Sequence, residues 1–292
     1  MEIPLLLTAS GLANGALYAL VALGLVLVYK TQDVVQFGHG EVLMIGAFIG
    51  YSLLNYLGLP YPAAMLAAVL ACGIMGFVLE RIAFRPIAYH HHITLAMVTV
   101  GLSFALKGIA RIPFGADIYT FPRLFPDTPT IVWGKLIVTP QHLVTIGVAL
   151  ALTIGLFVFF RSTTMGKQMR ATQQNLTGAS IIGINTGLIF SGTWALACAI
   201  GAVAGVLAAP DALLYPDMGA RFLLKGFAAA VLGGFESVPG AIVGGLLIGL
   251  IDNFAGFYID TAFQEISAYC IIILVLFVWP YGLFGRRPTH RV

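Results

Sequence analysis

Charge is what this sequence has least of. Only 9% of its 292 residues are Asp, Glu, Lys or Arg, whereas 59% are hydrophobic, and the mean hydropathy is +0.96. A soluble domain needs a more charged surface than that, so the composition excludes one and predicts a polytopic membrane chain. Cysteine is scarce as well. Cys72, Cys198 and Cys270 fall in apolar segments at no metal-ligand spacing, which argues against a disulfide framework or a zinc site and predicts buried free thiols. A basic leader region is missing from MEIPLLLTAS, so the first apolar segment reads as a retained span. The net charge of +3 resides in residues at segment ends and gives no nucleic-acid surface. Glycine, by contrast, is abundant at 34 residues, as expected where helices approach closely in lipid.

Apolar segments cover residues 5–28, 34–57, 63–79, 93–110, 142–160, 186–209, 222–232, 241–257 and 267–284. Residues 222–232 are too few to span, where about 20 are needed. Together with the Gly233-Gly234 break they predict a re-entrant or broken helix near 222–240. The expected fold is one all-α transmembrane bundle over 1–292 with seven to nine spans, an outer loop at 111–140 and an inner loop at 161–186. Nine basic residues near span ends fall on one side and six on the other, counting Lys107 and Lys225 among the six. That bias predicts the N-terminus outside and the C-terminus in the cytoplasm. The aromatic-rich 111–140 loop, with alternation at 130–138, predicts a short hairpin.

Several polar groups interrupt the apolar runs. Asn14 and Tyr18 share a helical face with Gly15. Gln36 precedes Phe37-Gly38-His39-Gly40-Glu41, where two glycines flank a histidine and a carboxylate follows at a helix start. Such a break resembles the discontinuous helices of transport paths. Gly233, Gly234 and Glu236 echo it. Asp252 and Asn253 fall late in the eighth segment. Buried polar groups of this kind either line a path or tie helices together, and residue type alone leaves both open. The His39-x-Glu41 spacing finds no further ligand, so no metal or cofactor is expected. Glu80-Arg81 reads as an interfacial ion pair, and His90-His91-His92 as a loop cluster.

The segment 161–184 is the longest polar run between apolar spans. It carries Arg161, Lys167 and Arg170 with no acidic residue, a break at Met165-Gly166, and apolar surface at Ala179, Ile181, Ile182 and Ile184 before Gly183 turns the chain. Docking element and solvated basic loop are both compatible with that chemistry.

Four blocks taken together resemble the integral permease subunits of bacterial branched-chain amino-acid ABC importers, a family related to urea and amide permeases. They are Asn14–Leu20, Phe37–Glu41 with Met44–Ala47, Met165–Asn185, and Lys225–Gly234 running into Pro239-Gly240-Ala241 and Gly244-Gly245. The resemblance spans nearly the whole chain. It implies a bacterial inner-membrane permease that performs no covalent chemistry and translocates a small amino acid or related solute inward. It also implies a second, homologous permease subunit (a heterodimer), two cytoplasmic ATP-binding subunits and a periplasmic substrate-binding protein. Lys167, Arg170, Asn175, Ala179, Ile182, Gly183 and Ile184 then become the ATPase-coupling residues, with Ala179, Ile182 and Ile184 as an apolar knob. Asn175 stands where members often carry an acid. Asn14, Tyr18, Gln36, His39, Glu41, Asp252 and Asn253 become path candidates, and Gly38, Gly40, Gly233 and Gly234 hinge or packing positions. The alternative is an ion-coupled secondary transporter using Glu41 and Asp252.

Overall fold

The computed structural model describes residues 2–87, 92–125, 131–133 and 136–285. Its helices are α1 (Glu2–Gln32), α2 (His39–Asn55), α3 (Tyr61–Leu79), α4 (His92–Phe114), α5 (Pro140–Ser162), α6 (Thr164–Gln174), α7 (Leu176–Ile181), α8 (Thr186–Ala212), α9 (Met218–Gly233), α10 (Val238–Tyr258) and α11 (Thr261–Val278). Among the described residues, seven helices are long and apolar enough to cross a membrane. The helices α2 and α9, at 17 and 16 residues, are shorter and complete the bundle. His90, His91, Arg286, Arg287 and Arg291 lie outside the described residues.

An apolar helix without a polar face must be buried on all sides or face lipid on one. Both cases occur. Within their most apolar windows, α1 is 89% and α8 83% buried, against 22% for α3 and α4 and 17% for α5 and α11. The first two therefore form the centre, with the others around them. Small residues set how closely the centre closes. Gly11 and Gly15 on α1 meet Gly245 and Gly249 on α10, two facing small-xxx-small pairs. A Cβ on Gly15 would sit 2.8 Å from the Leu246 Cα, so the backbones themselves are in contact.

The expected break between the first two spans is present. Residues 34–36 have no regular secondary structure and 37–38 form a turn, and the segment is pinned by Thr99 of α4. The Thr99 hydroxyl accepts the Phe37 N–H at 3.3 Å, and its own proton is shared between the Ala96 carbonyl at 2.7 Å and the Val35 carbonyl at 3.3 Å. Backbone freed from a helix thus finds partners inside the protein, as a low-dielectric setting demands. The second break falls at Gly233-Gly234, where Gly234 has φ +97° before Ser237 caps α10.

The far ends are stitched by loops. Tyr119 and Leu214 exchange backbone hydrogen bonds of 2.8 and 3.0 Å. Phe121 is buried beside Tyr51 and Tyr61, so this part of the 111–140 loop shields helix ends. The expected hairpin forms from β1 (Ile131–Trp133) and β2 (Leu136–Val138), antiparallel with Val132 opposite Ile137.

Three sequence readings need correction. Cys270 is exposed, although Cys72 and Cys198 are buried. The last helix starts at Thr261, capped by the Asp260 carboxylate, and ends at Val278, earlier at both ends than the 267–284 pattern suggested. Glu80 pairs with Arg85 at 3.3 Å, and not with Arg81. The cause is a π-helical turn over Glu80–Phe84, whose i→i+5 repeat stacks Arg85 over Glu80. The Ser191 hydroxyl of α8 also donates to the Glu80 carboxylate.

Candidate functional site: a charged hub, a helix break and a capped elbow

Asp252 is the most heavily used side chain of the interior. It is 1% exposed, on α10, and its Oδ2 accepts from Lys225 Nζ of α9 at 2.6 Å, Tyr18 Oη of α1 at 3.0 Å and Gln264 Nε2 of α11 at 3.3 Å. Its Oδ1 accepts from Ser267 Oγ, also of α11, at 3.3 Å. One carboxylate therefore ties four helices, and the Lys225 ammonium lies 5.3 Å from the Tyr18 ring centroid. Asn253, one step round the helix, donates to Ser10 of α1 instead. Asn14, Tyr18 and Lys225 line a cavity of about 360 Å³ at the end of the bundle away from α6 and α7.

The break before α2 carries a second polar group. His39 is buried against Gly24 and Gly201, and a Cβ at Gly24 would overlap its imidazole. Both His39 ring nitrogens, both amide atoms of Gln36 and Glu41 Oε2 are buried without a hydrogen-bond partner among the described residues. Glu41 Oε1 lies 3.4 Å from Lys107 of α4, which is 3.6 Å from Asp217. Gly38 is the residue before α2, Gly40 packs on the backbone of Gly219, and Gly233 packs on Gly240. Tyr18 and Asp252 thus meet directly with Asn14 alongside, while Gln36, His39 and Glu41 belong to a separate cluster.

Lys225 and Lys107 are what the sequence reading missed. Both count as span-end charges in a one-dimensional tally, yet each side chain reaches a buried carboxylate. A cation and an anion in neighbouring apolar helices were the available signal, because each needs a partner there.

At the opposite end, α6 and α7 form an elbow. The helical break lies at Thr163, whose hydroxyl accepts the Gly166 N–H at 3.0 Å, and Met165-Gly166 is already inside α6. Gly166, Met169 and Thr172 face the bundle at three-residue spacing, which leaves Lys167 and Arg170 exposed. Asn175 caps α7 by accepting the Gly178 N–H at 2.8 Å, a job its neutral side chain does without an acid. The helix ends with Ile184 N–H bonded to the Ala179 carbonyl and Gly183 at φ +86°. Asn185 then caps α8 through the Leu188 N–H. Ala179 is buried and Ile184 half-buried, so the exposed apolar surface is Ile181 and Ile182, at 79% and 74%, with Leu176 beside them. Of these, Ile181 and Leu176 were not among the coupling candidates. Among the described residues, no group of three or more His, Cys, Asp or Glu is placed to hold a metal.

A model of the branched-chain amino acid transport system permease component matches residues 7–278. The chain is 31% identical to the Escherichia coli high-affinity branched-chain amino acid transport system permease protein LivH, covering 97% of this chain and 96% of that one. Identity and coverage are the same with BraD, the corresponding permease protein of Pseudomonas aeruginosa. The solved structure of PsaBC from Streptococcus pneumoniae in complex with Fab shares the fold, with a TM-score of 0.53, 13% identity, and 93% and 91% of the two chains covered. Matched over nearly its whole length, this chain belongs to the branched-chain amino acid transport permease family and is a multi-pass membrane protein.

Proposed function

We propose that the chain is the translocation subunit of an ATP-driven importer that carries a branched-chain amino acid or a similar small solute inward across a bacterial inner membrane. The α6–α7 elbow carries this reading. Two large aliphatic side chains stand in solvent, Ile181 at the end of a six-residue helix and Ile182 as its C-cap, and so short a helix alone would not hold its shape. Caps at Asn175 and Asn185 and the left-handed Gly183 hold it in place. Exposed apolar surface held this way, flanked by Lys167 and Arg170, suits a groove with an acidic rim on a cytoplasmic ATPase. Hydrolysis then belongs to two partner ATPase subunits, with a second, homologous permease completing the path and a periplasmic protein delivering substrate.

Orientation follows from the same surface. Lys107 and Lys225 leave the count of loop cations on the far side, which favours the elbow side as cytoplasmic and the N-terminus as external. Ion coupling through Glu41 and Asp252 is disfavoured, since each carboxylate already has a lysine within 3.4 Å. Uptake of labelled leucine by cells carrying the complete system tests the reading. ATP depletion is expected to abolish uptake, and an uncoupler with ATP maintained to leave it intact; the reverse pattern would establish the secondary transporter.

A further inference from the structure

The cavity above the Asp252 hub has the chemistry of a binding site. It measures about 360 Å³, toward the small end of ligand pockets, which run from about 300 to 1,000 Å³. The Lys225 ammonium has three donors and spends one on Asp252. The other donors belong to a side chain that lines the cavity floor. Arg221 stands on the same wall, held at 3.3 Å by Glu265 in a solvent-exposed pair that water and salt weaken. Asn14 adds an amide with no side-chain hydrogen bond to the described residues. Leu17, Met218 and Phe222 supply an apolar wall beside these donors.

Cationic donors and apolar side chains alternate along α9 on this wall, and the Asp211 carboxylate also lines the cavity, a set that matches the carboxylate, the ammonium and the apolar side chain of an α-amino acid. Resting on the transport reading above, we infer that this cavity is a substrate-binding site within the permease. The substrate carboxylate is received by Lys225 and Arg221, and its side chain lies along Leu17, Met218 and Phe222. Selectivity is then exercised by this subunit as well as by the protein that delivers the solute. Asp252 is a positioning residue, because Lys225 is aimed by it and Asp252 is itself buried beneath.

The test uses proteoliposomes holding the complete transporter with saturating binding protein, and labelled L-leucine and L-alanine as probes. Ala212, half-buried on the cavity wall, is changed to Phe, with Ala212→Ser as the control. Ala212→Phe is expected to cut leucine uptake about tenfold and alanine uptake far less, a size-dependent loss of the kind a filled pocket gives. Arg221→Gln lowers uptake of both probes severalfold without size preference. Equal losses of both probes with Ala212→Phe, or wild-type uptake in both variants, overturn the site. Wild-type proteoliposomes showing no ATP-dependent uptake of either probe would instead overturn the transport reading itself.

Discussion

Lys225 and Asp252 stand 27 positions apart in sequence and 2.6 Å apart in space, with side-chain exposures of 9% and 1%. The pair joins α9 to α10 at the point where α1 and α11 also arrive. Two charges in an apolar bundle are tolerable only together, since each alone would bear its full desolvation cost.

Removing one partner is therefore expected to be worse than removing both. Lys225→Met should destabilise the folded subunit by about 3–5 kcal/mol, and Lys225→Met with Asp252→Leu should recover much of that loss. Thermal unfolding of the purified subunit, followed by size exclusion, reads the difference. A double variant no more stable than the single one would show that the two charges do not depend on each other for burial.

The π-helical turn makes a parallel case. Arg85→Met leaves the Glu80 carboxylate buried with only the Ser191 hydroxyl, and should cost several times more than Ser191→Ala, for which about 1 kcal/mol is expected. Arg81→Met should cost little, because Arg81 is exposed and no ion pair to it is seen among the described residues. The same unfolding assay ranks the three.

Gly24 and His39 allow a size exchange. Gly24→Ala places a methyl group where the imidazole now lies, so the single substitution should sharply reduce folded yield. Adding His39→Ala should restore folding by vacating that volume. Uptake by the rescued double variant then reports whether the imidazole serves transport or only packing.

Much of this molecule was legible in one dimension, and the reasons differ by region. Periodicity was not needed to find α1 or α8, since length and the lack of charge suffice for a buried span. The breaks at Gly38-His39 and Gly233-Gly234 were marked by glycines beside polar groups, a local signal. Partnerships were not legible. Lys225 and Lys107 looked like ordinary span-end cations because a sequence shows neither helix tilt nor which face meets which. Arg85 replaced Arg81 as the partner of Glu80 because a π-turn changes the angular step, and nothing in the residues announced it. In the elbow the polar segment and its apolar residues were visible, yet burial of Ala179 and exposure of Ile181 depended on how α7 rests against its neighbours.

Gly183 offers a backbone test. With φ at +86°, Gly183→Val forces a β-branched residue into the left-handed region at about 1–2 kcal/mol. Because this strain falls on the turn that closes α7, uptake should drop while insertion and whole-subunit unfolding change little. An equal fall in folded yield and uptake would assign Gly183 to general stability.

Ile181 and Ile182 are expected to seat in a groove of an ATPase. A photo-reactive amino acid placed at Ile182 in the complete system in native membranes, followed by mass spectrometry of the adduct, tests it most directly. The expected adduct is a nucleotide-binding ATPase subunit cross-linked through its surface groove, with the yield lost when Ile181 is changed to Asp. Adducts confined to lipid or to this chain, in cells that still take up leucine, would contradict it.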